Sequence, residues 1–308
     1  MNHTLIKFLP YLSSSFDYWK HESNKDYKVD SILGGFFSMN LHDRLHDGHY
    51  DLFDNNGLPL RTNNGKPYHS FSTVFSYALA NHQMFLKTAD DKYLKPLFET
   101  VNFIARKGEK TPYGGLVFPH HGLLSAMNQG EALSVIARAY EVDPKDVYLE
   151  HVEAIIKPFY REVKDGGVLG LIQKEGGIPW FEERSEIPGK HILNGMNYAL
   201  VGLGDISKIL PSYTEAKRFF NSGTDSLERA LPYFDNGFWS YYWLNDIEPH
   251  YVASVMYHNL HIVQLLYFSK ELNNSVFNKY SELFKKYKSN VLLRIRAGIG
   301  IGISKLKK

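Results

Sequence analysis

The chain contains no cysteine. That excludes a disulfide framework, a thiolate-ligated zinc site and a thiol nucleophile. It also lacks any run of about eighteen apolar residues, so no helix is expected to cross a membrane. An excess of one charge is missing too. Lys and Arg number 35 against 33 Asp and Glu, a net charge of +2. Such a balance gives no bulk field for nucleic acid, and no nucleic-acid partner is expected. There is no Walker loop, no strand-linked GxGxxG and no GxSxG elbow. The first twenty residues, MNHTLIKFLPYLSSSFDYWK, hold one short apolar stretch broken by Pro10 and then charges. They make a poor secretory signal, and a cytoplasmic location is expected.

What is present is aromatic. Phe, Trp and Tyr make up 15% of the chain, with 21 Tyr, 20 Phe and 4 Trp. Aromatics stack on sugar rings, and they also fill cores. A length of 308 residues allows one or two domains with a sizeable core.

Residues 1–68 are rich in Gly, Asn, Asp, His and Tyr, and read as a short extended, β-containing region. FDNNGLPLRTNNGKP (53–67) carries two Asn-Asn-Gly turns and reads as a hairpin. From residue 69 to 289 apolar residues recur at helical spacing. The segments fall into pairs: 71–88 with 91–107, 126–142 with 145–163, 191–210 with 212–231, and 251–272 with 275–288. Three Gly- and aromatic-rich breaks separate the pairs, at 112–122, 165–190 and 232–250. The expected fold is mainly α: an α/α barrel, or toroid, of about four helix hairpins. Loops gathered at one end of such a scaffold are where a site is usually built. Residues 290–308, NVLLRIRAGIGIGISKLKK, form a basic, apolar tail without an acid. An amphipathic tail of this kind suits peripheral contact with an anionic inner membrane, or a partner.

Three constellations carry unusual polar groups. The first is SAMNQGEA (125–132), with Gln129. The second is WFEERSEIPGKHILNG (180–195), with Trp180, Glu183, Arg184 and Asn194. The third combines Tyr241 and Tyr242 with Tyr257, His258 and His261 of YHNLH. The adjacent acids Glu182 and Glu183 beside Trp180 and Phe181 suit either a sugar-holding loop or charges at a helix entry. His258 and His261 lack an accompanying carboxylate. HDRLHDGHYD (42–51) reads as a hydrogen-bonded surface. No metal site is assigned to either.

These segments stand in the order SAM-x-QG, W-[FY]-EE, LNG-x-x-Y-x-L-x-GL-x-D and YH-x-x-H-x-x-QL. In that order they resemble the C-terminal domain of D-glucuronyl C5-epimerases, enzymes that mature heparan sulfate and related uronate polymers. The resemblance covers roughly residues 65–272. It implies a helical α/α barrel and an isomerase that needs no nucleotide or redox cofactor. The C5 proton of a glucuronate residue leaves from one face and a proton returns to the other, giving iduronate. The implied partner is a uronic-acid-containing polysaccharide or its lipid-linked precursor. With only about 65 residues ahead of the helical domain, the chain resembles a short bacterial-type version. A homodimer stays open.

Carried over by position, Glu183 matches the second acid of the family's W-Y-E-E-Y motif. Tyr242 matches the tyrosine of the break before the last helix pair, and Tyr257 the tyrosine of Y-H-x-x-H. Glu183 is then one proton-transfer group, its pKa raised by burial, and Tyr257 or Tyr242 the other. A tyrosine acting as base needs its pKa lowered, with Arg184, His258 or Lys190 as sources. Gln129 and Asn194 are implied sugar donors, and Arg184 a partner for the uronate carboxylate. Trp180, Tyr241, His258 and His261 complete the implied substrate-binding set. The chain departs from the family pattern at Arg184, Ser185 and Asn245.

Two further readings start from the same residues. A uronate polysaccharide lyase begins with the same proton abstraction and then eliminates the C4 substituent. A glycan-binding protein on an epimerase scaffold would bind without exchanging protons. A glycosidase fits less well, because acids adjacent in sequence point in different directions.

Overall fold

The computed structural model describes residues 18–174, 176–247 and 250–306, with side chains as far as Ile301. Most of the stretch weighed above as a leader lies outside these residues, as do Lys307 and Lys308 of the tail.

The helix pairs are present: α1 (Phe71–Thr88) with α2 (Leu94–Lys107), α3 (Ala126–Val142) with α4 (Val147–Ile156), α5 (Leu193–Ile209) with α6 (Thr214–Phe234), and α7 (Val255–Leu272) with α8 (Ser275–Ser289). Local chemistry sets their ends. Ser125 caps α3 by accepting from Asn128 N, Ser254 caps α7 by accepting from Tyr257 N, and Asn274 caps α8 by accepting from Val276 N. Helix α1 stops at Ala89, which takes the left-handed conformation at φ 59°. Helix α4 is shorter than its periodicity predicts. The chain tightens into a 3-10 turn at Lys157–Tyr160, where Pro158 brings no amide proton. Helix α7 starts late because Tyr251–Val252 is drawn into a strand.

The first helix of each pair forms the inner layer. Helices α3, α5 and α7 are buried on nearly every face, whereas α2, α6 and α8 are amphipathic. At the crossing of α3 and α5 the backbones touch. A Cβ added at Gly130 would stand 2.1 Å from Tyr198 O, and one at Gly202 2.1 Å from Gly130 O. One helical turn or more farther along, Arg138 Nη1 meets Asp205 Oδ2 at 2.6 Å, and Ser134 Oγ donates to the same oxygen at 2.7 Å. Both charges are buried, so each needs the other. Asn197 Nδ2 donates to Gln264 Oε1 across α5 and α7.

The N-terminal region is part of this body. Its 3-10 segment Phe36–Ser38 bridges α1 and α7. The Phe37 ring lies edge-on to Tyr198 of α5 and to Tyr267 of α7, at 5.3 Å and 5.4 Å. Trp19, Phe36, Phe37, Met39 and Leu41 share one hydrophobic core with the helices. Arg138 Nη2 donates to Gly34 O. The hairpin predicted within 53–67 forms from β1 (Arg61–Asn63) and β2 (Lys66–Tyr68), turning at Asn64 and Gly65, both with positive φ.

The breaks carry short antiparallel sheets. In the first, β3 (Glu109–Lys110) pairs with β4 (Leu116–Val117); in the second, β5 (Leu169–Ile172) pairs with β6 (Ile178–Phe181). Strand β7 (His191–Ile192) joins β8 (Tyr241–Leu244) and β9 (Tyr251–Val252). The tail forms helix α9 (Val291–Leu306), whose Ala297 and Ile301 pack with Trp239, Val252 and Val255. None of the helices formed by described residues is long and apolar enough to cross a membrane.

Candidate active site

The early turns of all four inner helices open on one cavity. Helix α1 supplies Ser72, Thr73 and Ser76; α3 supplies Met127 and Glu131. Helix α5 supplies Asn194 and Tyr198, and α7 supplies Met256, Tyr257 and Leu260. The positive ends of the helix dipoles favour an anion at this rim, although Ser125 and Ser254 already accept from amides of α3 and α7.

Glu183 enters the cavity from the end of β6. Backbone ties hold that end against α3: Ala126 N donates to Glu182 O at 2.9 Å, and Ser185 N to Leu124 O at 3.0 Å. Asn194 Nδ2 donates to Glu183 Oε2 at 3.2 Å. Gly195 is required beside it, since an added Cβ would lie 2.3 Å from Glu183 Cβ. Burial raises the Glu183 carboxyl to about 7, against partial relief from Arg184 and Asn194. Glu131 is buried on the same cavity, and its Oε2 has no hydrogen-bond partner. Burial, and then the charge of Glu183, pushes Glu131 well above the ordinary carboxylate range.

Glu182, the neighbour of Glu183, opens on a second cavity. Its Oε1 lies 2.6 Å from His191 Nδ1, and His191 Nε2 lies 3.4 Å from Asp246 Oδ2. Burial works against a charged His191, but Glu182 and then Asp246 together outweigh it and raise the imidazole.

Tyr257 is the third residue of α7 and faces the first cavity. Tyr242 of β8 lies against it, with ring centroids 4.4 Å apart and the ring planes tilted by 41°. Neither phenol is lowered, in contrast to the expectation from sequence. Burial first, and the nearby Glu183 charge, raise both. The three expected sources of positive charge are engaged elsewhere. Arg184 pairs with Glu186, Lys190 lies over the Trp243 ring, and burial leaves His258 neutral. The tyrosines are thus proton donors at neutral pH.

Another part of the lining was not foreseen from the sequence. Arg44 and Arg61 line the cavity together with His49 and His120. Both guanidiniums donate to His49 Nε2, each at 3.0 Å. Burial, then Arg44 and Arg61, hold His49 down at about 4, so it stays a neutral acceptor. Arg44 also lies over the Trp19 ring, 4.4 Å from its centroid. Among the described residues no carboxylate lies within ion-pair distance of either arginine. HDRLHDGHYD is hydrogen-bonded, as expected, with His49 N donating to Asp47 Oδ1, and it also sends Arg44 and His49 to the cavity.

Four residues expected at the sugar are structural here. Gln129 Nε2 donates to Leu116 O and Ile155 O while its Oε1 accepts from Phe118 N, leaving no free amide group. Trp180 is fully buried against Phe234. His258 bridges Ser240 Oγ to Phe284 O, and His261 binds the same Ser240 Oγ. These histidines clamp β8 onto α7 and α8. Tyr241 packs against His250 and is not among the residues lining the cavity. Arg184 turns toward Glu186 rather than into the cavity. Asn245 donates to Gly189 O and braces the loop that carries His191.

A profile of the D-glucuronyl C5-epimerase C-terminus matches residues 110–286, more than half of the chain. The chain belongs to this family. It is 31% identical over 187 residues to a D-glucuronyl C5-epimerase of Caenorhabditis elegans, covering 56% of this chain and 30% of that protein. It is 29% identical over 168 residues to the uncharacterized protein MJ1128 of Methanocaldococcus jannaschii, covering 54% of this chain and 52% of the other. The chain thus spans between about a third and about a half of these relatives.

Two solved structures share the fold at 14% identity. The cellobiose 2-epimerase of Spirochaeta thermophila superposes with a TM-score of 0.51 over 76% of this chain and 63% of that one. The GH76A alpha-1,6-mannanase of Salegentibacter gives 0.50 over 79% and 66%. The likeness bears on the α/α-barrel fold alone. Glu183, Asn194 and Tyr257 lie inside the family segment, whereas Arg44, His49 and Arg61 precede it. The one sequence signal for Arg44 and His49 was the density of His, Asp and Arg in 42–51, and Arg61 had none.

Proposed function

We propose that the chain is a carbohydrate epimerase that inverts C5 of a glucuronate residue in a polysaccharide or its lipid-linked precursor. One observation carries this reading. A buried carboxyl near 7 (Glu183) and a neutral phenol (Tyr257) share a cavity with two arginines that, among the described residues, pair with no carboxylate. A uronate needs such a set: a base, an acid, and positive charge at its carboxylate. Family membership supports the same chemistry.

In this mechanism Arg44 and Arg61 hold the sugar carboxylate. Ionised Glu183 takes the C5 proton. The electron pair of the broken C–H bond spreads into the carboxylate, where the guanidiniums and helix N-termini offset the added charge. The Tyr257 hydroxyl then delivers its proton to the other face of C5, forming the new C–H bond. The resulting phenolate is met by the Tyr242 hydroxyl and by Arg44, the two partners that lower the Tyr257 pKa. Proton return to Tyr257 and loss from Glu183 restore the site. Neutral Glu131 keeps a second negative charge away from Glu183.

A second reading draws on Glu131. Two buried carboxyls on one cavity are also what glycoside hydrolysis uses. The unneutralised arginines favour the uronate reading.

The test is hydrogen exchange at C5. The protein is incubated in D2O with heparosan and other glucuronate-containing glycans, and C5 is read by NMR. Deuterium at C5 without an unsaturated product is expected. An unsaturated product instead would mean a lyase, and new reducing ends a hydrolase. Binding without exchange would mean a glycan-binding protein.

A further inference from the structure

Helix α9 has two opposed faces. Arg294, Ala297 and Ile301, at i, i+3 and i+7, are buried. They turn toward α8 and β9, and Arg294 Nη1 donates to Lys288 O near the end of α8. The tail is thus docked along the body. The other face repeats the spacing with Leu292, Ile295 and Ile299, which are 72%, 38% and 55% exposed. Val291, 45% exposed, extends the stripe. A helix packed on a globular body needs one apolar face, and here there is a second, turned to solvent.

Charge is concentrated at the same place. From Leu283 to the C-terminus there are eight Lys and Arg and no Asp or Glu. The whole chain carries +2, so residues 1–282 carry −6. Lys285, Lys286 and Arg296 are exposed, with Arg296 over the Phe238 ring at 4.1 Å. A positive, apolar helix on an otherwise acidic protein is the pattern of a helix that lies in a membrane surface.

We infer that the outward face of α9 docks on an anionic lipid bilayer, with Leu292, Ile295 and Ile299 entering the headgroup boundary and the flanking Lys and Arg meeting lipid phosphates. The charge selects this occupant. A second copy placed on the same face across a two-fold axis would set two strongly positive segments against each other. An anionic bilayer meets both the charge and the stripe. The surface lies outside the cavity, so the inference stands apart from the proposed reaction.

The test is vesicle sedimentation of the full chain. Vesicles of phosphatidylglycerol in phosphatidylcholine are compared with pure phosphatidylcholine. Binding to the anionic vesicles is expected, falling as salt shortens the Debye length from about 10 Å to about 3 Å. Leu292→Asp with Ile299→Asp should weaken binding about tenfold or more while leaving the melting temperature unchanged, because both side chains are exposed. Lys285→Gln with Lys286→Gln and Arg296→Gln should weaken it and flatten the salt dependence. No sedimentation with anionic vesicles at low salt overturns the inference, as does equal binding by the Leu292/Ile299 variant. A concentration-dependent dimer that this variant abolishes also overturns it, and assigns the stripe to a second copy.

Discussion

Glu182 and Glu183 are neighbours in the chain and open on different cavities. Alternation along the end of β6 sends one toward His191 and the other toward Asn194 and Glu131. Only Glu183 meets the arginine wall. The two acids therefore have separate chemistry, and substitutions at each should have separate effects.

Glu183→Gln should lower C5 exchange by about 10²- to 10⁴-fold, the usual contribution of a positioned base. It should also change stability in a known direction. Glu183 titrates near 7 in the folded protein against an ordinary value of 4.5. The folded state then binds more protons than the unfolded one between those values, so Glu183 makes stability fall as pH rises through that window. Glu183→Gln removes this loss. Its stability relative to the parent should rise by roughly 2–3 kcal/mol between pH 4 and pH 8 in denaturant titrations. Exchange by the parent should rise through pH 7 as Glu183 ionises. An acid limb that stays in place in Glu183→Gln would assign the base elsewhere.

Tyr257→Phe should keep the fold, since the ring still packs, and lose exchange by about 10²-fold or more. Tyr242→Phe should do less, because Tyr242 reaches the cavity through Tyr257. Equal losses from the two, at unchanged melting temperature, would make Tyr242 the direct donor.

Arg44→Gln or Arg61→Gln should lower kcat/KM on a uronate polymer by about tenfold to a hundredfold, the cost of losing a charged hydrogen bond to a carboxylate. Binding of a carboxyl-reduced polymer should hardly change. If both polymers suffer alike, the arginines are structural and the carboxylate is held elsewhere.

Arg138→Met should destabilise the chain by about 3–5 kcal/mol, because Asp205 would be left buried without its partner. The double change with Asp205→Asn should recover part of that loss. Urea titration of the single and double variants decides it.

Much of the fold was legible in the sequence. The ends of α1 and α3 follow from periodicity and from the Ser125 cap, which are local signals. The family resemblance implied that Glu183 and Tyr257 surround one sugar, and both line the first cavity. Pro158 shortened α4, and pairing with β8 shortened α7, where a strand partner far in sequence overrode the helical pattern. Gln129, Trp180, His258 and His261 read as substrate contacts in the motifs, yet the structure buries each among neighbours that appear only when the pairs pack.

The sequence by itself determined the helix pairs, the Asn-Asn-Gly hairpin and the family. All of these rest on residues within a few turns of each other, or on residue type alone. Tertiary structure decided that Glu182 and Glu183 face different cavities, that Arg44 and Arg61 line the same cavity as Glu183, and that burial raises both Glu183 and Tyr257. Charge, desolvation and hydrogen-bond partners act through space over a few ångströms. Residues more than a hundred positions apart in the chain meet at that range only when the inner helices close around the N-terminal segment.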